Sequence, residues 1–133
     1  MRPEHIDVPA LPPVDHDGGN CRAVGSVLAR VGDKWSVFVI MMLIDGPLRF
    51  NELKRKINGV SQRMLTLTLR GLERDGLVTR TIFPTIPPRV DYELTDLGRG
   101  LAEPVQALGK WAFDHLPEIE GARTNFDARS GKD

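Results

Sequence analysis

A chain of 133 residues with 41% hydrophobic and 27% charged residues has the make-up of one soluble globular domain, long enough to bury a single core but not two. No apolar run reaches the roughly 18–20 residues of a membrane span, no signal-peptide layout opens the chain, and the lone Cys21 excludes an internal disulfide or a zinc finger, so a reducing cytoplasm is the expected compartment. The net charge of zero is unevenly spread: residues 49–90 hold nine Lys/Arg against three Asp/Glu, whereas residues 1–20 hold one against four and residues 114–133 three against five.

A polyanion meets local charge rather than the total, so the basic middle is the part to inspect for nucleic-acid binding. Residues 1–20, rich in proline and carrying Asp-His-Asp-Gly-Gly, have too little apolar surface to offset ordering entropy and read as a flexible arm. His5 and His16 in that arm are isolated, which fits solvated side chains better than metal ligands. A first helix is expected from Cys21 to about Arg30, with Val24, Val27, Leu28 and Val31 on one side, broken by Gly32-Asp33. Asp33 caps a second helix over residues 34–44 that is apolar nearly all round and therefore belongs in the core, with Trp35 as an anchor. Asp45-Gly46-Pro47 ends it. In the next segment Phe50, Leu53 and Ile57 stand at i, i+3 and i+7, the buried stripe of a two-turn helix that stops at Asn58-Gly59, with Val60 as an apolar plug.

Residues 61–76 then read as one helix with two faces. Ser61 is a good N-cap and Asp75-Gly76 a good stop. Leu65, Leu69 and Leu72 share a stripe with Thr68 beside them, and Arg63, Thr66, Leu67, Arg70 and Arg74 lie opposite. A short helix, a tight Gly-containing turn and a longer amphipathic helix make a helix-turn-helix, whose second helix enters the major groove through its N-terminal residues, here Gln62, Arg63 and Thr66. Arginine and threonine are groups that reach phosphates and base edges. Lys54, Arg55 and Lys56 stand near the turn, where phosphates would pass. Each charge alone is an ordinary solvated side chain; within the motif they form a DNA-facing set that also takes in Arg49, Ser61 and Arg70.

After Gly76 the period changes. Residues 77–83 are rich in β-branched side chains and residues 90–94 alternate apolar and polar, with three prolines stiffening the connection between them. Two strands and a projecting loop after a helix-turn-helix form a wing, and Arg89 at its base is placed to enter the minor groove or grip a phosphate. Thr95 caps a last helix over about residues 96–115, whose stripe of Leu97, Leu101, Val105, Leu108, Trp111, Ala112 and Leu116 is more than a small domain can cover and suggests a dimer surface. Pro104 predicts a kink, and the polar, acidic stretch after Pro117 reads as a disordered tail.

Several pieces stand in one order: Cys21, Gly32-Asp33-Lys34-Trp35, the Arg-Phe-Asn-Glu-Leu of 49–53, the Ser-Gln-Arg-Met-Leu-Thr-Leu-Thr-Leu-Arg of 61–70, the Leu-Glu-Arg-Asp-Gly-Leu-Val of 72–78, Pro-Pro-Arg-Val at 87–90 and Tyr-Glu-Leu-Thr-Asp-Leu-Gly at 92–98. With these residues the chain from Cys21 to about Leu116 resembles the HxlR family of bacterial winged-helix transcriptional regulators, relatives of the MarR group. The expected fold is mainly α with a small two-stranded β wing: one winged helix-turn-helix domain over 21–116, between the arm of residues 1–20 and a tail over 117–133. The resemblance implies a homodimer paired through its first and last helices, with Val24, Leu28, Leu101, Val105, Leu108 and Trp111 at the interface, bound to a palindromic operator. It also implies that Cys21 stands where family members that sense oxidants or electrophiles keep their reactive cysteine. A position at a helix N-terminus beside Arg22 favours an anionic thiolate, the form such reagents attack, whereas a free cysteine is otherwise most often buried packing. The proline-rich arm departs from the family's pattern.

The function expected is a sequence-specific DNA-binding transcriptional regulator. Its partners would be double-stranded DNA and a second copy of the chain, with an oxidant, electrophile or small-molecule effector as the candidate signal; no cofactor, metal or membrane is called for. A winged-helix module turned protein–protein adaptor is the competing reading, and basic charge on the second helix and the wing argues against it. An enzyme is disfavoured by three scattered histidines, the lack of a Ser/His/Asp or Cys/His order, and the lack of a glycine-rich phosphate loop.

Overall fold

The structure, a computed structural model, describes residues 19–131. The arm expected over residues 1–20 lies outside them except for Gly19 and Asn20, which begin the first helix. In chain order the elements are α1 (Gly19–Gly32), α2 (Lys34–Met42), β1 (Leu48–Arg49), α3 (Phe50–Lys56), α4 (Gln62–Arg74), β2 (Val78–Phe83), β3 (Arg89–Leu94) and α5 (Asp96–Ser130). The core gathers Val39, Ile40 and Leu43 beneath α2, Leu53 and Ile57 of α3, Val60 from the turn, Leu65, Leu69 and Leu72 of α4, Leu77, Val78 and Leu94 from the sheet, and Ala102 and Val105 of α5. The stripe expected for α4 and Leu53 and Ile57 of the α3 stripe are therefore inside, with Phe50 half-buried against the core.

Local chemistry explains the boundaries. Asp33 has an extended backbone and its carboxylate accepts from the Ser36 amide at 3.2 Å, which starts α2 and also satisfies the buried Ser36 hydroxyl at 3.3 Å. Ser61 does the same for α4, its hydroxyl accepting from the Met64 amide at 3.0 Å. The other end of α4 closes with the Gly76 amide donating to the Glu73 carbonyl at 3.0 Å and the Leu77 amide to the Leu72 carbonyl at 2.9 Å. That pair of bonds needs a left-handed residue between them, and Gly76 supplies it at φ +77°.

A knot follows at once. Thr95 caps α5 by accepting from the Gly98 amide at 3.0 Å, donates its hydroxyl proton to the Gly76 carbonyl at 2.6 Å, and its amide donates to the Leu77 carbonyl at 3.0 Å. Gly98 is pressed against that same Leu77 carbonyl, so a Cβ at 98 would run into its oxygen. The glycine of the Thr-Asp-Leu-Gly stretch thus lets α5 start directly on the end of α4. A second tie joins α1 to α4: Arg30 lies across Gly71, where any side chain would displace it, and its Nε donates to Asp75 at 2.8 Å.

Three features differ from expectation. The wing is part of a three-stranded antiparallel sheet ordered β1-β3-β2, because Leu48 and Arg49 pair with Tyr92 and Asp91. The last helix does not stop near residue 115; it continues through Pro104 and Pro117 to Ser130, so most of the expected disordered tail is helix. Residues 118–130 hold two each of Glu, Ala and Arg, all good helix formers, among poorer ones, and the helix runs on past the one backbone bond that Pro117 cannot make. Val105, expected at the dimer surface, is only 5% exposed and belongs to the protomer's own core, so it cannot face a partner.

Candidate nucleic-acid interface

Helix α4 separates its residues cleanly. Leu65, Thr68, Leu69 and Leu72 are buried, which turns Arg63, Leu67, Arg70 and Arg74 outward, flanked by Gln62 and Thr66. Gln62, Arg63, Thr66 and Leu67 rim a shallow hollow of about 430 Å³ on that outer face. Ser61, expected among the DNA-facing residues, is exposed, but its oxygen already accepts the capping bond from Met64; it sets where the helix begins.

Helix α3 presents Lys54, Arg55 and Lys56 in its last turn, all exposed beside the turn into α4. Cations at that end also suit the negative pole of the helix. Arg49 precedes α3 with its backbone fixed twice: its amide donates to Glu52 Oε1 at 2.8 Å, and it pairs with Asp91 across the sheet. The third strand therefore holds the start of the helix-turn-helix against the wing.

The wing carries a correction of emphasis at Arg89. Its guanidinium lies 4.2 Å over the Phe83 ring, and its Nε is 3.3 Å from Asp91 Oδ1 in an ion pair whose alignment falls short of a hydrogen bond. Both of those atoms are shut off from solvent, while the side chain as a whole stays 38% exposed. Arg89 thus braces the base of the wing with part of its surface still outward. Arg49, Arg55 and Arg89 come together around an open cleft of about 990 Å³ between α3 and the wing loop; Glu52 and Asp91 share it, so its charge is mixed.

Arg80, which sequence reasoning passed over, adds a second cation on the wing. It is exposed on β2, pairs in register with Tyr92, and lies 3.8 Å from Glu73 of α4. The Tyr92 phenol sits at this junction; burial pushes its pKa up, opposed by the charges of Arg80 and Arg70 and helped by that of Glu73. The cations around it line the seam between α4 and the wing. Thr79, Arg80 and Thr81 are all exposed, so no period-two alternation along the strand singles out the arginine in the sequence.

The apolar surface is concentrated elsewhere. On α1, Val24, Val27 and Leu28 are exposed, and on α5 Leu97, Leu108 (59%), Trp111 (52%), Phe113 and Leu116 are exposed, with Leu101 half-buried against the core. Cys21 is the third residue of α1, inside its first turn rather than before it, and half-exposed. Among the described residues no cluster of His, Cys, Asp and Glu could hold a metal ion, and no helix is long and apolar enough to cross a membrane.

Residues 30–120 match the model of the HxlR-like helix-turn-helix family. Over 97 residues the chain is 43% identical to YtfH of Escherichia coli K12, an uncharacterized HTH-type transcriptional regulator, covering 73% of this chain and 77% of that protein. Among solved structures, YtfH from Salmonella typhimurium superposes with a TM-score of 0.72 at 40% identity, covering 76% of this chain and 90% of the other. The redox regulator HypR in its reduced form superposes with a TM-score of 0.69 at 39% identity, covering 74% and 98%.

Proposed function

The chain belongs to the HxlR-like helix-turn-helix family of transcriptional regulators, and from that premise we propose that it binds a palindromic operator as a homodimer through α4 and the wing. The observation that carries this reading is the outer face of α4, where Gln62, Arg63, Thr66 and Arg70 are exposed opposite a fully buried leucine stripe. Lys54, Arg55 and Arg49 then serve phosphates on one side, and Arg80 with the outward part of Arg89 serves them along the wing. Exposed apolar residues on α1 and α5 supply the pairing surface, centred on Val24, Leu28, Leu108 and Trp111 with Leu101 at its edge. Residues 21–116 form the unit that carries both activities. The test is operator binding by Arg63→Ala: if Arg63 pairs with a guanine edge, the variant loses about 1–3 kcal/mol and tolerates other bases at that position. A parent chain that enriches no sequence from random duplex DNA, and so behaves as a protein–protein adaptor, overturns the reading.

A second layer is favoured by Cys21, a half-buried residue in the first turn of the helix assigned to pairing. HypR, the neighbour solved in both reduced and oxidized forms, is a redox regulator. We therefore assign Cys21 as the candidate sensor. With one cysteine per chain, a protein disulfide can form only between subunits; otherwise the thiol is capped by a small thiol or alkylated. Diamide, hydrogen peroxide or a quinone should change operator affinity in the parent and leave Cys21→Ser unaffected, with reversal by a thiol reductant except after alkylation. An unchanged affinity in a parent whose thiol is demonstrably modified removes the sensing role.

A further inference from the structure

We propose that Leu67 is a specificity-determining residue of the DNA site and takes the 5-methyl group of a thymine in the major groove. The inference rests on the DNA-binding reading above and adds a base to it. Leu67 is 48% exposed at the middle of the outer face of α4, one turn beyond Arg63 and one residue before the buried Thr68. The buried stripe of α4 is complete without it, so its apolar side chain is not needed by the protomer's core. Its neighbours on the same face are Arg63, Arg70 and Arg74, with the exposed Met64 on one side, so the leucine sits within a mainly cationic surface rather than a broad apolar one. That setting suits a polyanion that also carries apolar groups at fixed depth. Duplex DNA has one such group: the thymine methyl, the only apolar projection on the major-groove edge of a base pair.

The geometry adds two points. Leu67 shares the hollow of about 430 Å³ with Gln62, Arg63 and Thr66, so a base edge entering between the polar side chains meets Leu67 at one wall. On its other side Leu67 borders an open groove between α1 and α4, together with Ser26, Ala29, Arg30, Asp33, Met64 and Thr68. A leucine at that position discriminates by contact: the methyl of thymine fills apolar space that cytosine leaves empty, and the amino group of cytosine would lose water there without gaining an acceptor.

The experiment begins with operator duplexes selected from random DNA by the full chain. Each thymine in the enriched sequence is then replaced in turn by deoxyuridine, which deletes the methyl group and keeps every hydrogen-bonding atom. At one position per half-site, uracil should weaken binding by the parent about three- to tenfold, the scale of one buried methyl. Leu67→Ala should bind the thymine and uracil duplexes equally, and Leu67→Met should keep the preference; circular dichroism checks that both variants are folded. No uracil substitution costing the parent more than twofold overturns the proposal while leaving the DNA-binding reading intact. So does a Leu67→Ala chain that retains the preference, or a Thr66→Ser chain that alone loses it, which would move the contact to the threonine methyl. A selection that enriches nothing overturns both.

Discussion

At the residue scale, two glycines of α5 make opposite predictions from the same substitution. Gly98 touches the Leu77 carbonyl, whereas a Cβ at Gly100 would meet nothing within 4 Å. Gly98→Ala should therefore cost about 1–3 kcal/mol, as overpacking against fixed backbone does. Gly100→Ala should add about 0.5–1 kcal/mol by removing a flexible residue from a helix interior. Urea unfolding of the two variants decides it; equal midpoints would mean that the α4–α5 junction is looser than the structure has it. This scale is also where the sequence was hardest to read. The spacing of Leu97, Leu101, Val105, Leu108 and Trp111 marks an apolar surface, but no periodicity says which part of it faces the chain's own core. The structure splits it: small Gly98 and Ala102 let α5 close in, Val105 goes inward with them, and Leu97, Leu108 and Trp111 are left on the adjoining stripe. Arg89 was only partly legible, since a wing-base arginine looks free until Phe83 and Asp91 are found beside it.

At the element scale, the helix-turn-helix and the wing were legible because each ends in strong local chemistry: Asp33, Ser61 and Thr95 all cap the helices expected of them. Strand β1 was not, because two residues carry no alternation; it exists only through its partners Tyr92 and Asp91. The distal part of α5 was missed because Pro117 is a sound reason to stop a helix, and here it was outweighed. Helix α3 and its turn carry a prediction of their own. Lys54 and Arg55 are exposed and do not line the hollow on α4, so Lys54→Ala or Arg55→Ala should weaken binding to all duplexes alike and reduce the salt dependence by about one charge. A sequence-dependent loss instead would place α3, not α4, against the bases.

At the scale of the whole molecule, exposed cations cluster on α3, α4 and the sheet, and most of the large exposed apolar side chains lie on α1 and α5, with Met64 and Leu67 of α4 and Ile82 and Ile86 of the wing exposed besides. A two-fold pair formed through the apolar elements would present two copies of α4 to one face of DNA, with half-sites about one helical turn, roughly 10 bp, apart or a multiple of it. Sedimentation of the full chain at micromolar concentration should give twice the 14.8 kDa of one chain, and Trp111→Asp should shift it towards the single chain with a matching loss of operator affinity. A full chain that sediments as a stable monomer removes the pairing scheme. The knot at Thr95 bears on how such a molecule comes apart. Gly76, Leu77, Thr95 and Gly98 join the end of α4, the start of β2, the end of β3 and the start of α5 through three hydrogen bonds and one backbone contact. The wing loop beyond them, residues 84–88, is exposed throughout. Hydrogen exchange should therefore be faster at Ile86 in the loop than at the Thr95 amide, which donates to the Leu77 carbonyl; equal rates would mean that the junction opens together with the loop.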